Sequence, residues 1–174
     1  MKRSRKPKEY LFVDGYNIIN SWENLKEISK VDLEQARSAL LEILAEYKHY
    51  SDIEIIVVFD AYMVKGNNRS KEEYKGLHVV YTKENELADH YIEKALDVMG
   101  REMRVRVATS DWIEQQIILS RGGIRVSARE LQVEIEDEMR MVSKKRRRLN
   151  TKNDINIGRL EDQVLHKLKD WNEK

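Results

Sequence analysis

The stretch Ile53-Glu54-Ile55-Ile56-Val57-Val58-Phe59-Asp60 decides how the chain is read. Seven residues, five of them β-branched, run almost without a polar interruption and stop at an aspartate. A continuous apolar run of that length suits a strand covered on both faces, as in a parallel sheet, better than an alternating surface strand. Working outward, Tyr10–Val13, Leu77–Tyr81, Arg104–Ala108 and Ile124–Val126 read as further short strands. Helical stripes lie between them. Asp32 to Tyr50 carries Leu33, Ala36, Leu40, Leu41, Leu44 and Tyr47 on one 3.6-residue face. Asn85–Met99 carries Leu87, Ala88, Tyr91, Ile92, Ala95 and Leu96 and ends at Gly100, and Asp111–Arg121 closes at Gly122-Gly123. Ser127-Ala128-Arg129-Glu130 is a capping box that opens a long helix toward Lys145. Ala61–Gly76 reads as a polar, basic loop, and Asn150–Asn156 as a polar break before a last helix over Gly158–Trp171. Strands alternating with helices predict an α/β fold with a mostly parallel sheet covered on both faces and a helical C-terminal appendage.

The 174 residues suffice for one ordinary domain with a real core. With no cysteine, disulfides, thiolate zinc sites, iron–sulfur clusters and a cysteine nucleophile are excluded. No apolar run approaches the ~20 residues of a membrane span, and the basic N-terminus is followed by no apolar signal segment. A cytoplasmic location is expected. The net charge of +1 conceals two basic patches. One is Lys2, Arg3, Arg5, Lys6 and Lys8, and the other is Lys144, Lys145, Arg146, Arg147 and Arg148, against an otherwise acidic body. That pattern expects an anionic partner met at particular places; DNA, RNA and anionic lipid all qualify, as does a merely solvated helix face.

Three aspartates follow apolar strands directly: Asp14, Asp60 and Asp111. In a parallel sheet the carboxyl ends of the strands share one edge, where ligands bind, so acids distant in sequence converge there. Asp89, in the first turns of the helix after Tyr81, falls near the same edge, with Glu86 and Glu93 on its helix face. Each aspartate alone also fits a helix N-cap, Asp111 three residues before Glu114 most plainly. Together they fit a cation, because clustered carboxylates repel one another without one. Hard oxygen donors, with His49, His78, His90 and His166 scattered along the chain, suit Mg²⁺ or Mn²⁺ rather than zinc. Such an ion acidifies water and neutralises phosphate, which is the chemistry of phosphodiester hydrolysis. Asn17 is placed to donate to a phosphate oxygen or orient a water; Thr109 and Ser110 are placed to do likewise, or to cap a helix. Glycine-rich dinucleotide and P-loop motifs are absent, as is a nucleophile elbow. A receiver-type phosphoacceptor site lacks its lysine after the last core strand. Trp22, Tyr62 and Trp112 are aromatics able to stack on bases or to pack.

Four ordered segments carry a resemblance. Val13-Asp14-Gly15-Tyr16-Asn17, Val57-Val58-Phe59-Asp60-Ala61, Thr82-Lys83-Glu84-Asn85-Glu86-Leu87-Ala88-Asp89 and Ala108-Thr109-Ser110-Asp111 resemble the successive motifs of NYN domains, which are PIN-like, metal-dependent ribonucleases. The similarity is to the YacP-like group of bacterial, ribosome-associated endoribonucleases, and Ser127 to Leu131 fits that group too. It spans roughly residues 11–138. The resemblance implies a PIN-like (NYN) three-layer α/β/α fold, with Asp14, Asp60, Asp89 and Asp111 around Mg²⁺, Asn17 at the polar position and Glu86 as an accessory acid. It implies an enzyme that cleaves mRNA in the ribosomal A site, a step in mRNA decay; separately, a monomer without a small-molecule cofactor is expected. Lys65, Arg69 and Lys71, with Lys144 to Arg148, are then expected to contact RNA or the ribosome. The alternative is a catalytically weak RNA- or ribosome-binding protein that keeps the nuclease fold. Residues 1–9 form a basic extension unlike the group's usual start, 10–140 the nuclease domain and 141–174 the basic helical appendage.

Overall fold

In the computed structural model, residues 7–61, 70–99 and 102–172 are described. The chain runs β1 (Glu9–Asp14), α1 (Gly15–Ser21), α2 (Glu23–Val31), α3 (Leu33–His49), β2 (Glu54–Phe59), β3 (Ser70–Tyr74), β4 (Leu77–Tyr81), α4 (Ala88–Met99), β5 (Arg104–Ala108), α5 (Trp112–Ser120), β6 (Ile124–Val126) and α6 (Ala128–Asn172). The six-stranded sheet has the order β3-β4-β2-β1-β5-β6. All pairings are parallel except β3 with β4. The α/β fold with a mostly parallel central sheet is therefore present.

Strand parity sorts the core into two layers. Phe12 pairs with Ile56 and Val107, and Val58 pairs with Val80. Phe12, Val58, Val80 and Val107 pack with Ala88, Ile92, Leu96 and Ile118, so α4 and α5 cover this face. The alternate residues Leu11, Val13, Ile55, Val57, Phe59 and Val79 are equally buried. On that side Phe59 lies against Tyr16 of α1 at 5.0 Å between ring centroids. Arg106, paired with Leu11, grips Glu134 of α6 through both guanidinium nitrogens, and Tyr47 of α3 donates to the same carboxylate. The central strands thus have an apolar residue on each face, which explains the unbroken run Ile55–Phe59.

Three sequence expectations change. Residues 15–31 carry no helix in the sequence reading, yet α1 begins at once after Asp14 and α2 follows after a single residue, Trp22. Seven residues are too few for a periodic stripe to stand out, and tertiary contact holds them: Trp22 is buried and its indole N–H donates to the Ala128 carbonyl at 2.8 Å. The loop expected over Ala61–Gly76 contains β3, a polar edge strand whose lysine and glutamates hide it from an apolar scan. Its two-residue hairpin loop, Lys75-Gly76, has φ of 46° and 87°, the left-handed pair that a tight antiparallel turn requires. The break expected at Asn150–Asn156 is absent, since α6 continues through it. Around residues 150–153 the helix is exposed, and Thr151 Oγ1 donates to the Arg147 carbonyl, so polar side chains there cost no burial. The capping box forms as expected, Ser127 N–H to Glu130 Oε2 at 2.7 Å and Glu130 N–H to Ser127 Oγ at 3.1 Å.

The chain divides into a unit ending at Ile135 and a second unit from Glu136 onward. The second holds the part of helix α6 from Glu136 onward, with Arg140 paired to Glu136 and Asp137 and with Lys144 to Arg148 exposed.

Gly15 tests the packing beside the first strand end. A Cβ there would stand 2.3 Å from Phe59 Cε1, and Phe59 is fully buried. Gly15→Ala is expected to lower stability by about 1–3 kcal/mol, the usual range for overpacking. Urea unfolding checks this; a midpoint equal to the parent's would mean that the ring yields freely.

Candidate active site

The parity that buries Phe12, Val58 and Val107 carries on past the strand ends. Asp14, Asp60 and Thr109 stand two residues further on, at the carboxyl edge and on the α4/α5 face. Asp89 in the first turn of α4 and Glu114 in the first turn of α5 approach the same spot. Asp14 senses the charges of Asp60 and Asp89, and Glu114 senses those of Asp14 and Asp89. Four carboxylates therefore share one crevice: Asp14, Asp60, Asp89 and Glu114.

Glu114 is the most buried of the four, at 4% exposure. The sequence reading took it only as the helical partner of a capping aspartate. A glutamate three residues after a capping aspartate reads equally as a capping-box partner, so its place in the crevice shows only in the structure. Thr109 Oγ1, fully buried, donates to Glu114 Oε2 at 2.7 Å. Glu114 Oε1 is also buried and meets no N–H or O–H of the described residues. The Asp14 carboxylate is its neighbour. Two facing carboxylates are stable only with a proton or a cation between them. In the cation-free protein a proton does this: burial, with the adjacent Asp14 charge, pushes Glu114 up to about 9. Burial also raises Asp14, to about 6, despite the hydrogen bond from Glu114. Asp60 is raised by burial too, against the pull of the Ala88 N–H that its Oδ1 accepts at 2.6 Å.

A frame of hydrogen bonds holds the loops that carry these acids. Asn17 Oδ1 accepts from the Ser110 N–H at 2.6 Å, which clasps the β1–α1 junction to the β5–α5 junction. Thr82 Oγ1, fully buried, accepts from the Ala61 N–H and donates to the Glu86 carbonyl, joining the ends of β2 and β4. Gln115 Nε2 donates to the Thr109 carbonyl at 2.7 Å.

The expected residues do not all meet. Asp111 stands beside the group, exposed, with Oδ1 accepting from the Ile113 and Glu114 N–H groups as the N-cap of α5. Asn17 serves the loop clasp through its Oδ1. Ser110 is exposed and takes part through its backbone N–H, and Thr109 through its hydroxyl. Glu86 turns away to the Lys83 N–H and to Lys94, in an open recess also lined by Asn85 and His90. Lys65 and Arg69 lie outside the described residues, as does Tyr62, and Lys71 is exposed on β3. Lys144 to Arg148 belong to the second unit.

Comparison with known proteins identifies the family and the fold. Residues 11–173 match the model of the YacP-like NYN domain. The Bacillus subtilis protein YacP is 37% identical over 164 residues, covering 94% of this chain and 96% of its own. The crystal structure of Rae1 (YacP) from Bacillus subtilis superposes with a TM-score of 0.70 at 37% identity, over 95% of both chains. A mutant of it gives a TM-score of 0.72 at 38% identity, over 82% of this chain and 84% of that one. The chain belongs to the YacP-like NYN domain family. It carries the nuclease-type fold of that family, and among the described residues no helix is long and apolar enough to cross a membrane.

Whether this NYN domain suits a divalent cation is answered by its donors. Among the described residues no three acidic or imidazole groups are spaced to surround one ion. Mg²⁺, however, keeps several waters and commonly takes only one or two protein carboxylates. The donors are all hard oxygens, and the buried Glu114 Oε1 without a hydrogen-bond donor marks where positive charge would be accepted. The residues fit the ion.

The sign of the pH dependence follows. Folded Asp14 and Glu114 keep protons that their unfolded counterparts, titrating at 3.8 and 4.5, have already lost. Between these limits the folded state binds more protons, so stability falls as pH rises. In EDTA the melting temperature should drop from pH 5 to pH 9, and Glu114→Gln should flatten the part above pH 6. An undiminished slope in that variant would assign the proton elsewhere.

Proposed function

We propose that this YacP-like NYN protein is a metal-dependent endoribonuclease that hydrolyses mRNA phosphodiester bonds on the translating ribosome. One observation carries the reading: four carboxylates from separate elements crowd at the sheet edge, and two of them, Asp14 and Glu114, face each other where a proton or a cation must lie between them. Asp14 and Glu114 would hold Mg²⁺ or Mn²⁺, with Asp60 and Asp89 reaching it through its waters and Asp111 at the rim. Bound there, such an ion supplies neutralisation of the phosphate and a water of lowered pKa. The chain's own groups do the remainder. Glu114 and Thr109 orient Asp14, the Ala88 N–H orients Asp60, and Asn17 keeps the two flanking loops in register. No histidine or serine nucleophile is needed. The exposed Lys144 to Arg148 suit RNA phosphates, whose contacts are strong, salt-dependent and indifferent to sequence. Where the cut falls would then be set by the ribosome.

A second reading, an RNA- or ribosome-binding protein without turnover, is favoured by one fact. Among the described residues no three acidic side chains close around a single point. Cleavage of a defined mRNA in a purified translation system separates the two. Asp14→Asn and Asp60→Asn should each cut more than about 100-fold more slowly, beyond the 10–100-fold loss that follows removal of a merely orienting neighbour. Ribosome co-sedimentation should persist, and new RNA ends should vanish with chelation. Ends that appear equally with the parent and both variants would discard the nuclease assignment.

The basic run has its own test. Replacing Lys144 to Arg148 with glutamine should weaken co-sedimentation and flatten its dependence on log salt, by up to about 0.7–0.9 per lost phosphate contact. An unchanged slope would place the phosphate contacts on other residues.

A further inference from the structure

The first turn of α5 sends its successive side chains in opposite directions. Glu114 enters the carboxylate crevice, while Trp112 is 70% exposed and Ile113 is 67% exposed. Trp22, by contrast, is buried to 3% with its indole N–H satisfied. Among the described residues Trp112 stacks on no ring, lies under no cation and donates its N–H to no acceptor. Isolated apolar residues on a surface are ordinary. A tryptophan and an isoleucine stand exposed side by side in the same helical turn as the buried Glu114.

We propose that Trp112, flanked by Ile113, is the platform on which a nucleobase of single-stranded RNA stacks beside the phosphate held at the carboxylates. The inference deepens the endoribonuclease reading and rests on it. Three observations favour a base over a protein partner. Trp112 and Ile113 together are two side chains, far below the ~800 Å² per partner of a stable protein interface. Its neighbours Ser110 and Asp111 are polar and exposed, so the patch does not widen into an apolar face in that direction. And the helical turn that bears it also bears Glu114, which keeps the exposed indole within one turn of the crevice. Stacking on an indole accepts every base, which suits a nuclease whose cut site is chosen by something other than base identity.

The test uses fluorescein-labelled single-stranded RNA, and an abasic oligonucleotide of equal length, with the full chain in Ca²⁺ in place of Mg²⁺, a larger hard cation that bridges phosphate and carboxylate but lacks the strict octahedral geometry of Mg²⁺. Fluorescence anisotropy should show that the parent prefers the base-bearing strand. Trp112→Ala should weaken that strand's binding at least about fivefold, leave abasic binding alone and erase the preference. Trp112→Phe should recover affinity to within about twofold, since a smaller ring still stacks. The salt slope should match the parent's, because no phosphate contact is lost. Thermal melting of Trp112→Ala at the parent's temperature confirms that an exposed residue was removed. Base preference that survives in Trp112→Ala, or a parent that shows none, overturns the platform. So does loss of ribosome co-sedimentation in Trp112→Ala with RNA binding intact, which would make the patch a protein contact. The endoribonuclease reading is judged separately by the mapped RNA ends: cleavage sensitive to Asp60→Asn, together with a Trp112-independent affinity, sinks the platform alone.

Discussion

Strands that run in one direction must end on one edge, and strand parity then decides which side chains gather there. In this chain both conditions act on acids. Asp14 and Asp60 lie two residues beyond buried apolar partners, Phe12 and Val58, and so inherit the α4/α5 face. Helices that return across that face begin beside them and bring Asp89 and Glu114. The core and the crevice are thus one construction. The residues that make the sheet bury well are the ones that hold the carboxylates together, and the resulting repulsion is relieved only by protons or by a cation.

The first turn of α5 shows how much one short segment settles. Asp111 caps it, Glu114 faces inward to Asp14, and Trp112 and Ile113 face solvent. Consecutive helical residues differ by 100° in direction, so close neighbours reach different environments. The cap is what fixes that phase. With Oδ1 on the Ile113 and Glu114 amides, Asp111 sets where the helix starts, and hence which side chain enters the crevice. Asn17 then ties this junction to the start of α1, beside Asp14.

The basic run is arranged differently. Lys144 to Arg148 lie on a stretch of helix exposed on nearly all sides, in a unit apart from the sheet. A solvated charge there costs little and acts over a Debye length of about 8–10 Å, which suits capture of a polyanion more than chemistry on it. The acids need burial to act on one another, and the bases need exposure. Their placement in separate units satisfies both.

What could be read from residues alone was whatever burial writes into local pattern. The unbroken run Ile53–Phe59, the stripe over Leu33–Tyr47 and the capping box at Ser127–Glu130 each record contacts that repeat at a fixed period, and each appears in the fold. The aspartates at the strand ends were legible for the same reason, since parallel strands leave them no other edge. The polar edge strand Ser70–Tyr74, the short helix after Asp14 and the unbroken course of α6 were not legible. Pairing with β4 and the burial of Trp22 stabilise the first two, and exposure on nearly every side removes the apolar stripe that marks a helix in the third. Only the tertiary structure separated Glu114 from Asp111. Both carboxyls stand in one turn, three residues apart, and which of them caps the helix while the other enters the crevice depends on the direction in which β5 delivers that turn. Direction in space is a long-range quantity, and a local pattern does not carry it.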